Sequence, residues 1–174
     1  ISQQIGGTSL GRPYLSGGFH YSNGTYGFAL ADDGRPADLG VIRGGSSKKM
    51  TALNEDVLGH KTLAKVTPLT YSSSLDNELI HGWYMTPPDF DPSQKYPLIL
   101  EIHGGPHSAY GDFFSAEMQL MAAQGYIVFY DNYRGSTSYG SRFAGLLQYK
   151  YASVDDFTDH MSGIDEMLKL GFVD

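Results

Sequence analysis

Apolar residues are distributed differently over the first third of the 174-residue chain and the rest. Up to about residue 50 they come in short stretches parted by turn residues. Phe19-His-Tyr precedes Asn23-Gly24, and Thr25-Tyr-Gly-Phe-Ala-Leu30 follows it. Asn-Gly between two such runs predicts a two-residue hairpin turn, in which both central residues need positive φ. Asp33-Gly34 marks the next turn, and Asp38 to Arg43 completes a predicted three-stranded meander. A meander of that size has too little core to stand alone, so it is expected to belong to a larger β unit. Asn54 to Leu58 suits one helical turn ended by Gly59-His60, and residues 50–65 read as a linker.

From Lys65 onward the runs lengthen. Val66 to Ser73 and Leu79 to Thr86 read as strands joined across Asp76-Asn77, with Pro87-Pro88 closing the second. Leu98, Ile99, Leu100 and Ile102 lack helical spacing and suit a strand buried on both faces of a parallel sheet. Phe114 to Gln124 is rich in helix formers and is stopped by Gly125, after which Tyr126 to Tyr130 is a second continuous apolar strand. Strand, helix, strand demands a right-handed parallel crossover, so the fold class is α/β. Asp131 to Gly140 is a polar turn at the carboxyl end of a strand, where α/β sheets place ligands. Ser153 with Asp156 reads as a capping box. Val154, Phe157, Met161, Ile164 and Leu168 then repeat at steps of three and four, which predicts a helix laying that stripe on the sheet. Lys169 and Gly171 end it, and Gly171 to Asp174 should lead into another strand.

Composition narrows the function classes. A net charge of -7 argues against nucleic acid or an anionic membrane as partner. The absence of cysteine excludes disulfides and cysteine-based metal or nucleophile chemistry. No apolar run reaches the length of a membrane span, and Ile1-Ser-Gln-Gln has neither the basic nor the apolar region of a signal peptide. The chain opens without Met inside a Gly-rich stretch, which gives the expectation of a piece of a longer protein.

The candidate chemistry sits where the central strand stops, at His103-Gly-Gly-Pro106. Two glycines let the backbone approach a ligand, and Pro106 prevents a helix from starting there. Loops of this His-Gly-Gly type supply a backbone N–H to the oxyanion hole of esterases and lipases; the competing reading is a tight turn with glycines for steric reasons only. Gly7-Thr-Ser-Leu-Gly11 satisfies Gly-x-Ser-x-Gly, but Gln3 and Gln4 before it and Gly11 and Pro13 after it deny the strand and helix that motif needs, so Ser9 reads as a loop residue. His103 and His107 have the spacing of a metal pair, yet Gly-Gly-Pro between them removes the helical face and no third ligand is evident, so no metal is assigned. Asp155, Asp156 and Asp159 beside His160 could suggest a cation, but placement against the helix dipole explains the first two without one.

Taken in order, Gly11-Arg-Pro-Tyr14, Leu53-Asn54, Ile80 to Pro88, Tyr96 to Pro106, Asn132-Tyr-Arg-Gly-Ser136 with Tyr139-Gly140, and Gly171 to Asp174 resemble the prolyl oligopeptidase family of serine peptidases, most closely its acylaminoacyl-peptidase and dipeptidyl-peptidase-like members. That family joins an access-restricting β-propeller to an α/β-hydrolase domain that cuts short peptides. The resemblance implies that residues 1–50 are the last part of the propeller, 51–65 a linker, and 66–174 the first half of the hydrolase domain, an incomplete α/β-hydrolase sheet. In the family the nucleophile elbow follows the strand expected after Asp174, so Ser, Asp and His of the triad lie beyond this chain, which alone is expected to be inactive. Gly105 matches the oxyanion donor. Arg134 and Tyr139 match residues beside the site and are candidates for substrate contact, although the arginine matching Arg134 in relatives is more often a structural anchor for its loop; Tyr133 is a further loop aromatic. The resemblance implies a short peptide as substrate, no cofactor, and leaves open a homo-oligomeric full-length enzyme in the cytoplasm or periplasm. Two alternatives stand beside this reading: a non-catalytic interaction module on the hydrolase scaffold, and an esterase of the same fold, which the N-terminal β meander disfavours. In the family's strand order Leu98 to His103 pairs with Tyr126 to Tyr130 on one side and with the strand after Asp174 on the other, so here it is expected as an edge.

Overall fold

The computed structural model describes Pro13 and residues 17–174, and the Gly7 to Gly11 motif with Ser9 lies outside the described residues. The chain divides into two compact units. One holds the described residues up to Leu63 together with Gly111–Met118; the other holds Ala64–Tyr110 and Gln119–Asp174.

The first unit carries an antiparallel sheet in the order β1-β2-β3-β4, with β1 Phe19–Ser22, β2 Thr25–Asp32, β3 Arg35–Arg43 and β4 Ser46–Lys49. The Asn-Gly turn forms where expected, with φ of 46° at Asn23 and 74° at Gly24. The sheet has four strands rather than three, and β3 begins at Arg35 rather than Asp38. The extra strand is Ser-Ser-Lys-Lys, exposed along its length. It has no apolar alternation to announce it; the Gly44-Gly45 turn, with both φ values positive, folds it back onto β3. Gly40 faces buried Phe28 in the register, and a Cβ there would lie 2.8 Å from the ring, so the glycine is what lets that ring lie across β3. Asp38 is buried. It accepts hydrogen bonds from Thr51 Oγ1 at 2.7 Å and Leu53 N at 2.9 Å and pairs with Lys49 Nζ at 3.1 Å, so the start of the predicted linker is tied to the sheet. The Leu53 and Thr51 donors hold its carboxyl below the usual range. The single turn α1, Glu55–Leu58, forms as expected.

The second unit is mixed α/β. Its sheet runs β5-β6-β8-β7, with β5 Lys65–Ser72, β6 Leu79–Thr86, β7 Leu98–Glu101 and β8 Ile127–Asn132. β5 pairs antiparallel with β6, β6 antiparallel with β8, and β7 parallel with β8, with Leu100 opposite Phe129. The parallel pair is the expected strand-helix-strand crossover, made through α2, Ala116–Ala123. β7 is the sheet edge among the described residues, and beside its entry Tyr96 forms a parallel bridge with Val173. Tyr96 N donates to Phe172 O and Asp174 N to Tyr96 O, each at 2.9 Å, so the last residues run alongside the chain entering β7. Ile80, Ile127, Phe129 and Met167 are fully buried at the centre of this unit. Two short helical segments, α3 Gly140–Ala144 and a 3-10 turn Gly145–Leu147, fall where the sequence showed no periodicity and bury Phe143 and Leu147.

The last helix, α4 Asp155–Lys169, corrects two expectations. Ser153 Oγ accepts from Asp155 N at 3.2 Å instead of from Asp156, so no capping box forms. The apolar stripe is also not the buried face: Val154, Phe157, Met161 and Leu168 are exposed, Phe157 at 61%, while Asp159, His160, Ser162, Gly163 and Met167 are buried. Periodicity reports that a helix has two faces. Which of them meets the sheet is decided by the partners waiting there, and here those partners include the buried polar groups of Arg134 and Asp131 beside apolar Phe129.

Candidate active site

The loop after β7 holds Gly104 and Gly105, and the Gly105-Pro106 peptide is cis. Gly105 has φ +132°, and a Cβ on it would lie 2.8 Å from His107 N, so this backbone path admits only glycine. Among the described residues its N–H makes no hydrogen bond. An exposed backbone donor at the carboxyl end of a sheet strand can stabilise an anion that develops on a bound carbonyl oxygen.

His103, which precedes the glycines, points inward and is 1% exposed. Its Nε2 is 3.0 Å from Ser136 Oγ and its Nδ1 is 3.1 Å from Gly104 O. Burial depresses its pKa, which favours the neutral ring. The Ser136 and His103 distance matches that of a nucleophile and its base. Ser136 is wholly buried, however, and its hydroxyl donates to Tyr133 O at 2.7 Å, so it cannot meet a substrate. His107 is exposed, away from the buried environment of His103.

The end of β8 and the start of the turn after it are polar in sequence, yet residues 131–136 are buried. Asp131, Asn132, Arg134 and Ser136 are each at most 1% exposed. Asn132 accepts from Tyr110 N at 2.7 Å and donates to Tyr110 O and Tyr139 Oη, both at 2.9 Å. Tyr139 is half-buried, its ring 5.3 Å from that of His81 and 5.1 Å from that of Phe143. The Arg134 guanidinium is fully engaged: Nε and Nη2 contact the Asp159 carboxylate at 2.9 and 2.8 Å, Nη1 and Nη2 contact Asp76 at 3.1 and 3.0 Å, and Nη2 also reaches Ser73 Oγ at 3.1 Å. Burial alone would lower its pKa, but the two carboxylates outweigh burial and raise it. Arg134 in turn holds the Asp76 carboxyl below its usual range. The two candidate contacts at the turn are thus placed differently, Tyr139 at its partly exposed rim and Arg134 beneath it.

A second buried group completes the arrangement. Asp131 Oδ2 accepts from Tyr71 Oη at 2.7 Å and lies 3.0 Å from His160 Nδ1, while Oδ1 has no partner among the described residues. Burial pushes the His160 pKa down, but the Asp131 hydrogen bond and charge outweigh it, so the net shift is upward. Asp131, Tyr71, Tyr133 and Ser136 carry no sequence motif for these roles. The one available signal was Asp159-His160, a charged pair on a helix whose apolar stripe runs elsewhere.

Residues 112–174 match the model of the prolyl oligopeptidase family. The uncharacterized peptidase YuxL of Bacillus subtilis is 36% identical over 136 residues, which span 78% of this chain and 20% of the relative. Dipeptidyl-peptidase 5 of Porphyromonas gingivalis is 31% identical over 147 residues, 80% of this chain and 21% of the relative. Among solved structures, the acylaminoacyl peptidase of Pyrococcus horikoshii superposes with a TM-score of 0.81 at 32% identity, covering 90% of this chain and 25% of that one. The chain therefore spans about a fifth to a quarter of the length of these relatives.

Proposed function

Because the chain belongs to the prolyl oligopeptidase family, we propose that it is the part of a serine peptidase that supplies the oxyanion loop for cleavage of short peptides of the acylaminoacyl or dipeptidyl type. In this reading the described residues up to about 50 are the end of a β-propeller, 51–65 a linker and 66–174 the first half of an α/β-hydrolase domain. The nucleophile, base and acid come from sequence outside these residues. A serine hydroxyl adds to the scissile carbonyl, the base takes its proton, and the oxygen that becomes anionic accepts the Gly105 N–H. One such donor lowers the barrier by about 3 kcal/mol. Arg134 serves the site from beneath by fixing the 131–140 turn, and Tyr139 at the rim is available to substrate.

The observation that carries the proposal is Gly105, an exposed residue whose N–H has no hydrogen-bond partner among the described residues and whose φ is +132°. The test is a fluorophosphonate probe on the full-length protein that carries this chain, read by peptide mapping alongside turnover of acylaminoacyl and dipeptidyl anilides. One labelled serine outside residues 1–174, with turnover lost on labelling, is expected. Labelling of Ser9, Ser136 or any other serine within these residues, or an inert full-length protein, overturns the assignment.

A further inference from the structure

The Gly104-Gly105 loop has little of its own to hold it, since neither glycine has a side chain and Pro106 has no N–H to donate. What fixes it comes from the turn after β8. Tyr133 Oη donates to the carbonyl of His103 at 2.8 Å. Ser136 Oγ lies 3.0 Å from His103 Nε2 and is itself oriented by the Tyr133 carbonyl at 2.7 Å. The Tyr133 ring lies 4.8 Å from the His103 ring and 4.7 Å from that of His160. On the far side of the loop, Thr137 N donates to Ser108 O at 2.9 Å. The loop is therefore gripped at His103 and at Ser108, with the candidate donor between the grips.

We propose that Tyr133 and Ser136 are positioning residues of the oxyanion loop, acting through His103 to set the direction of the Gly105 N–H. The proposal rests on the reading of Gly105 as the oxyanion donor. Neither residue touches substrate, for both are buried. With Oη removed, the His103 carbonyl loses its donor and the peptide planes leading into two glycines can turn. A displacement of about 1 Å in a catalytic group is enough for a loss of up to about 10²-fold. Replacing Gly105 is a poorer probe, because its φ of +132° excludes other residues and would distort the loop outright.

The experiment uses the full-length protein with Tyr133→Phe, measuring kcat, KM, inhibition by a peptide aldehyde and inhibition by the product peptide. The aldehyde forms a hemiacetal whose oxygen occupies the oxyanion position; the product peptide does not. The expected result is a fall of about 10-fold in kcat and in aldehyde affinity, with KM and product affinity within about twofold, because only the transition state uses the displaced donor. Tyr133→4-aminophenylalanine, which keeps a donor at the ring's end, should restore both. A merely structural role would lower the melting temperature without this split between kcat and KM. A folded Tyr133→Phe enzyme with unchanged kcat and aldehyde affinity overturns the positioning role while leaving the peptidase reading intact. A wild-type protein that neither turns over anilides nor binds the aldehyde overturns the peptidase reading itself. If Tyr133→Phe does not fold, Ser136→Ala decides, since it cuts the other tether on His103; the same selective loss is expected and unchanged kcat refutes the proposal.

Discussion

Gly163 lies in the middle of α4, where helix propensity alone says that alanine should stabilise by about 1 kcal/mol. The structure reverses the sign. A Cβ at this position would stand 2.5 Å from Phe129 Cζ and 2.6 Å from Tyr71 Oη, whereas carbon atoms in contact settle at about 3.5–4.0 Å. Both neighbours are core residues, Phe129 fully buried on β8 and Tyr71 buried on β5, so neither can swing into solvent. Forcing extra volume into such a site costs about 1–3 kcal/mol. Moving Tyr71 also withdraws its hydroxyl from Asp131, a buried carboxylate whose other oxygen already lacks a partner among the described residues. A hydrogen bond to a charged group contributes about 1.5–3 kcal/mol. Set against the propensity gain, Gly163→Ala should destabilise by about 1.5–5 kcal/mol. Urea unfolding followed by circular dichroism measures this, with Asp165→Ala on the exposed side of the same helix as the control that should shift stability by under about 1 kcal/mol. The loss should shrink in a Tyr71→Phe background, where the blocking oxygen is gone. A Gly163→Ala protein as stable as the parent would refute the packing of α4 on β5 and β8 described above.

Three further outcomes are expected. Arg134→Met leaves Asp159 buried and uncompensated and should cost about 3–5 kcal/mol, while Asp76→Ala, whose carboxylate is 44% exposed, should cost at most about 1 kcal/mol; thermal melts showing equal losses would refute the ranking. His160 has a folded-state pKa raised above 6.5, so its contribution is complete below 6.5 and is lost as pH rises through the raised value. His103 is depressed by burial, so its contribution is complete above 6.5 and is lost as pH falls. Unfolding free energy from these two groups should therefore peak near pH 6.5, and His160→Gln should flatten the alkaline limb alone; an unchanged alkaline limb would remove the Asp131-His160 pair as its source. The 174-residue chain expressed by itself should aggregate, because β7 presents an open apolar edge in which Glu101 is the one charge, and a soluble monomer with one cooperative transition by light scattering and denaturant titration would contradict that.

Local chemistry determined much of this protein. Asn23-Gly24 dictated a hairpin because few other residue pairs accept positive φ twice in succession. The continuous apolar runs at Leu98 and Tyr126 with a helix between them dictated a parallel pair, since a connection of that length closes only one way. Gly104-Gly105 was legible as a place of close backbone approach for the same local reason. Pairings between distant residues were not legible. Nothing within a few residues of Tyr133 says that its hydroxyl will meet a carbonyl 30 positions earlier, or that Arg134 will be enclosed by Asp76 and Asp159. The face of α4 shows this best. Its apolar stripe predicts the buried side by the usual driving force, burial of apolar area. An unpaired buried arginine or aspartate would be far more costly than an exposed phenylalanine, so once Arg134 and Asp131 lay beneath the helix, Asp159 and His160 had to turn inward to meet them and Phe157 was left outside. That choice is a property of two elements together, and only the tertiary structure contains it.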